Sequence, residues 1–96
     1  MIVEHAVLNI RKGKALEFEV ALKGARHLIE ETEGFQKMEV RACVESKERY
    51  LLLVWWSNVE AHTQGFRGSP RYAEWRSALH HFFEPFPTVQ HYGDPL

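Results

Sequence analysis

The sequence holds one cysteine, Cys43, in 96 residues, which excludes a disulfide framework within the chain. No CxxC and no Cys/His pair has zinc-finger spacing, so a structural metal is not expected either. Charge of neither sign is in excess. Twelve Lys+Arg stand against 13 Asp+Glu, a formal net of −1, where a nucleic-acid-binding domain usually carries a strong basic surplus. Long hydrophobic runs are missing: the longest, Tyr50 to Trp56, has seven residues, far short of the roughly 20 a membrane-spanning helix needs. The start, Met1-Ile2-Val3-Glu4-His5, has neither a basic n-region nor an apolar h-region, so no export signal is expected, and the lone thiol fits a reducing cytoplasm. Gly-rich phosphate loops, GxSxG elbows and Rossmann fingerprints are all absent.

What is present is a short chain, 45% hydrophobic and 12% aromatic, read as one domain over residues 1–96. A chain of this length buries only about 60–65% of the surface exposed by its unfolded form. With no disulfide or metal to add stability, oligomerisation is the expected remedy.

Ile2 to Ile10 is rich in β-branched and aliphatic residues, as a strand requires. One face carries Val3, His5, Val7 and Asn9, the other Ile2, Glu4, Ala6, Leu8 and Ile10. After the Arg11-Lys12-Gly13 turn, apolar residues at 15, 18, 22, 25 and 29 make one stripe of an amphipathic helix from Lys14 to about Glu31, with Gly34 as its stop. Phe35 to Glu45 alternates, with Met38, Val40, Ala42 and Val44 opposite Lys37, Glu39, Arg41 and Cys43; this one-sided strand suits a sheet edge or a rim position. Tyr50 to Trp56 is apolar on both sides and reads as a strand covered on both faces. Ser57 and Glu60 have capping-box spacing, predicting a short helix from about Asn58 to Phe66. Ser69-Pro70 restarts a second helical piece as N-cap and N1, ended by Glu84-Pro85-Phe86-Pro87. Thr88 to Tyr92 is a last short strand.

The order β-α-β-β-α-β is the ferredoxin-like arrangement of the α+β class, in which two helices cover one face of a four-stranded antiparallel sheet. The doubly apolar Tyr50–Trp56 strand means that the other face needs cover as well. A homodimer with the two sheets face to face is the expected solution.

The WWSNVEAH segment leading into GFRGSPRYAEW, and the late QHY, resemble the antibiotic biosynthesis monooxygenase family over nearly the whole chain. The residues carrying the likeness are Trp56-Ser57, Glu60-Ala61-His62, Phe66-Arg67, Ser69-Pro70, Tyr72, Trp75-Arg76 and His91-Tyr92. The resemblance implies a dimeric α+β barrel with a pocket in each subunit between sheet and helices. It also implies oxygenase chemistry without flavin, haem or metal: a phenol or quinol gives up a proton and its carbanion reduces oxygen directly. Such chemistry asks for an apolar aromatic cavity, a base and donors for a developing oxyanion. The family's haem-degrading branch resembles this chain less well. Its strand asparagine falls on Ala6 and its helix histidine near Arg76, with Asn9 and His80 close by.

Ten of the 12 aromatic residues lie from Tyr50 onward, a density that serves a core and a flat ligand equally well. Trp56, Phe66, Tyr72 and Trp75 are expected to converge beside His62, which shares a helix face with Phe66 and would either take a phenolic proton at its ordinary pKa or hydrogen-bond to backbone where the helix bends. The expected catalytic set is His62, Tyr72, Trp75 and Arg67; the expected substrate pocket adds Asn9, Trp56, Phe66, Arg76 and His91. Arg67, Arg71 and Arg76 would otherwise be solvated or pair with Glu60, Glu74 or Glu84. His80, His81 and Glu84 read as surface residues rather than metal ligands, and Cys43 as an inert thiol. The leading expectation is a small cofactor-independent monooxygenase oxidising a phenolic or quinol-like aromatic. The alternatives are a non-catalytic dimeric aromatic-ligand-binding or stress-related protein, or a haem-binding relative.

Overall fold

The computed structural model describes all 96 residues. It runs β1 (Ile2–Asn9), α1 (Ala15–Glu30), β2 (Phe35–Ala42), β3 (Arg49–Trp56), a π-helical turn (Ala61–Phe66), α2 (Pro70–Leu79), a 3-10 turn (His80–Phe82) and β4 (Gln90–Tyr92). The four strands form one antiparallel sheet in the order β2-β3-β1-β4, the ferredoxin-like topology. Strands β2 and β4 are its edges, so the half-polar alternation of β2 marked its position correctly.

Strand period decides which residues face the helices. In β3, Tyr50, Leu52, Val54 and Trp56 are buried beneath them, and in β1 so are Glu4, Ala6 and Leu8. Phe18 of α1 is fully buried, against Tyr50 at 5.0 Å and Phe82 at 5.9 Å between ring centroids. Val3, His5, Val7, Leu51, Leu53 and Trp55 point to the opposite face, where Val7 and Tyr92 are exposed. The molecule is 19 Å across its thin direction, room for one sheet and one helix layer. Within one chain nothing lies over that second face.

Four boundaries differ from the sequence reading. Strand β1 ends at Asn9, and Ile10 makes only an isolated bridge to Phe83. Strand β2 stops at Ala42, leaving Val44 exposed in the hairpin loop. Strand β4 is three residues rather than five. The capping box does not form: the Ser57 N–H donates to the Gly34 carbonyl at 2.8 Å, so Ser57 still belongs to the strand edge. The cap moves one residue on, and Asn58 Oδ1 accepts the Ala61 N–H at 2.8 Å. Gly34 permits this junction. Its φ is +91°, and a Cβ there would lie 2.6 Å from the Ala61 Cβ. No helix is long and apolar enough to cross a membrane.

Candidate functional site

Between the sheet and the helices lies a cavity of about 70 Å³. Its floor is the inward face of β1 and β3, with Ala6, Leu8 and Leu52, and its far wall is Phe18, Leu22 and Ile29 of α1. Phe66, Tyr72, Trp75 and Leu79 close a third side, and Phe83, Phe86, Pro87 and Val89 the outer rim. Phe86 is 61% exposed and is the rim's most solvent-open aromatic. An engineered apolar cavity of about 150 Å³ accommodates benzene, so an aromatic ring fits here only if the rim moves outward.

The aromatic wall forms as the spacing predicted. Phe66 meets Tyr72 edge-on at 5.4 Å and Trp75 edge-on at 5.7 Å between ring centroids. The turn carrying Phe66 is π-helical, with the Arg67 N–H reaching back five residues to the His62 carbonyl at 3.0 Å. It keeps His62 and Phe66, four residues apart, both buried. Gly68 lets the chain leave this turn tightly, since a Cβ there would lie 2.4 Å from the Gln64 carbonyl oxygen.

At one end of the cavity the lining turns polar. Glu4 and His62 both line it and are 4% and 3% exposed. The Trp56 indole N–H donates to Glu4 Oε1 at 3.0 Å, and His62 Nε2 lies 3.4 Å from the same oxygen. His62 is stacked on Trp56 at 5.3 Å between ring centroids, with 17° between the planes. On its far side His62 Nδ1 lies 2.8 Å from Nε2 of His91, which is the cross-strand partner of Glu4. Arg67 lines the cavity from an exposed position, with no carboxylate within ion-pair distance. It is the free cation of the site.

Burial sets the protonation of this cluster. It raises the Glu4 carboxyl above its ordinary value, against the Trp56 hydrogen bond and the charge of Arg67, which both pull it down. The same burial, aided by Arg67 and His91, pushes His62 down to about 3. His91 is lowered by burial and by Arg67, and His80, also on the cavity wall, by burial, Arg76 and Arg67. The expectation that His62 titrates near neutrality is therefore corrected. It is neutral at pH 7 and by itself a weak base.

The remaining residues singled out in the sequence fall as follows. Trp56 and His91 stand behind His62 rather than on the cavity wall. Asn9 is on the opposite face of the sheet, where its Oδ1 accepts from Arg49 Nε at 3.1 Å. Arg76 lies outside, its guanidinium 6.0 Å from the Tyr72 ring centroid. Arg71 donates to the Leu28 carbonyl and to Thr32 Oγ1, while Arg67 and Arg76 are exposed and pair with no acidic residue. Glu84 instead pairs with Arg11 at 2.9 Å. Glu4, the central acid of the site, was passed over in the sequence reading. Its signal was there: a carboxylate in period-two register with Ala6, Leu8 and Ile10 on the strand's apolar side.

Comparison with known proteins places the chain. The profile of the antibiotic biosynthesis monooxygenase family matches residues 1–78. The uncharacterised protein YczJ of Bacillus subtilis (strain 168) is 45% identical over 94 residues, covering 98% of this chain and 99% of that protein. A crystal structure from Bordetella bronchiseptica, assigned as an antibiotic biosynthesis monooxygenase, superposes with a TM-score of 0.92 at 30% identity, covering 99% of this chain and 97% of that one. SnoaB of Streptomyces nogalater, a cofactor-independent oxygenase, shares the fold alone, with a TM-score of 0.79 at 14% identity over 99% of this chain and 93% of its own. The chain belongs to the antibiotic biosynthesis monooxygenase family, whose fold is known as the dimeric α+β barrel.

Proposed function

We propose that this protein is a cofactor-independent monooxygenase that oxidises a phenolic or quinol-like aromatic with O2, acting as a homodimer joined through the uncovered sheet face. The observation that carries the reading is the polarity of the cavity: aromatic and aliphatic along its length, with a buried carboxylate–imidazole pair and an unpaired arginine at its lining. SnoaB, a cofactor-independent oxygenase, shows that this fold can host such chemistry.

The roles follow from the positions. Glu4, its proton affinity raised by burial, is the base, with His62 Nε2 3.4 Å from its carboxylate. Tyr72 and Trp75, packed edge-on against Phe66, form the aromatic wall on which the ring rests. Arg67 stabilises the phenolate that forms when the proton leaves. In the keto form of such a phenol a ring CH2 is oxidised to C=O. One oxygen atom forms the new carbonyl, the O–O bond breaks, and the second oxygen leaves as water with the two hydrogens of the CH2 group. All four electrons come from the substrate carbon.

The test is oxygen uptake across a panel of hydroquinones and dihydroxynaphthalenes, with absorbance recorded in parallel and haemin as a separate arm. Uptake that falls by about 10²-fold or more in Glu4→Gln is expected, the range of a general base. Tryptophan quenching by the same compounds without oxygen uptake would instead identify a binding protein. A Soret band with haemin would point to the haem-binding relatives.

A further inference from the structure

We propose that His91 is the outlet of a proton relay that begins at Glu4 and passes through His62, carrying to the surface the proton taken up in the cavity. This inference rests on the reading of Glu4 as the base. A base that receives a proton at each turnover must also lose it. Glu4 is 4% exposed and His62 3%, so neither meets bulk water directly, and the surrounding cavity wall is mainly apolar. His91 is half-buried on the edge strand β4. The three groups stand in series: Glu4 Oε1 to His62 Nε2 is 3.4 Å, and His62 Nδ1 to His91 Nε2 is 2.8 Å.

One geometry serves both ends of the transfer. With Glu4 ionised, His62 presents its Nε2–H to the carboxylate, and His91 donates its Nε2–H to His62 Nδ1. With Glu4 protonated, the carboxyl O–H faces an unprotonated His62 Nε2, and His62 donates its Nδ1–H to His91 Nε2. Going from the second form to the first breaks and makes one N–H or O–H bond at each junction. Glu4 loses a proton, each imidazole keeps one, and His91 releases one from its outer ring nitrogen. No oxidant or reductant is involved. The other groups facing the series are fixed: the Trp56 indole on β3 donates to Glu4, and Arg67 beyond the π-helical turn acts on all three members by its charge. His5 lies on the other face of the sheet, out of the series.

Ring-nitrogen NMR of the full-length protein labelled with 15N-histidine tests the relay without any turnover. From pH 8 to pH 4, His62 is expected to change from the Nε2–H to the Nδ1–H form as Glu4 protonates, and His91 to change over the same range. In Glu4→Gln, both coupled changes are expected to disappear. A His62 tautomer that stays constant in the wild type, or a His91 response that Glu4→Gln leaves untouched, overturns the relay whether or not the protein is an oxygenase. Where a hydroquinone is oxidised, His91→Gln keeps a hydrogen-bonding group beside His62 but an amide cannot pass a proton on. It is expected to lower kcat by about 10²-fold with KM unchanged and with partial rescue by free imidazole. Wild-type kcat in that variant overturns the outlet and leaves the oxygenase reading intact.

Discussion

Replacing His62 by phenylalanine makes the protein less sensitive to acid, by an amount that follows from proton counting. In the unfolded chain a histidine binds its proton near 6.5; in the fold, burial holds His62 down to about 3. Between those values the unfolded state carries one proton more than the native state. His62 therefore contributes stability that is present above about 6.5 and lost as the pH falls towards 3. The slope is set by the proton difference and not by the size of the shift, and one proton corresponds to about 1.4 kcal/mol per pH unit. From pH 6 to pH 4 the loss is about 2 kcal/mol. Glu4 acts with the opposite sign. Its raised carboxyl contributes stability that is full below its unfolded value and lost as the pH rises through its folded one. Both arms of the comparison are therefore made in the Glu4→Gln background. Phenylalanine retains the stack on Trp56 while removing the titration and the contact with His91, a loss that offsets the whole curve and leaves the difference in slope to the titration. Urea unfolding at a fixed protein concentration, at half-unit steps from pH 6 to pH 4, gives the two slopes. His91 is also lowered, so some acid sensitivity persists in the variant, but the curve with His62 present is expected to be steeper by about 1 kcal/mol per unit. Parallel curves would refute the view that His62 is buried as a neutral imidazole.

Gly34→Ala is expected to destabilise the fold by about 2 kcal/mol, because it combines a left-handed backbone with a clash against Ala61; a thermal melt that does not move would contradict this. Leu53→Glu, on the uncovered face of the sheet, is expected to give a monomer by sedimentation velocity while keeping native far-ultraviolet dichroism. A wild-type chain that already sediments as a monomer at micromolar concentration would remove the reason for that variant.

The fold was open to reading because its elements differ in period. The steps of three and four in α1, the clean alternation in β2 and the two-sided apolar run of β3 each have one physical solution, and their order leaves the ferredoxin-like sheet. The aromatic wall was readable for the same reason: Phe66, Tyr72 and Trp75 cluster within ten residues of one another, and local geometry brings them together. The helix start at Ser57 was not, since Ser57 is held to Gly34 by a hydrogen bond across 23 positions of sequence. Asn9 and His91 show the difficulty in another form. Both sit on strands with mixed faces, and only the pairing register tells which face is inside.

The sequence by itself determined the class of fold, the one-sided pattern of β2, the two-sided apolar character of β3 and the aromatic character of the cavity. These depend on composition and period, which act over a few residues. Tertiary structure alone decided the chemistry of the polar end. Glu4, Trp56, His62 and His91 come from four separate elements, and only the sheet register and the π-helical turn bring them within hydrogen-bonding reach. Burial then reverses the ordinary expectation for the pair, raising the carboxyl and lowering the imidazole. Desolvation is a property of the surroundings of a group, and no residue carries its surroundings in its name.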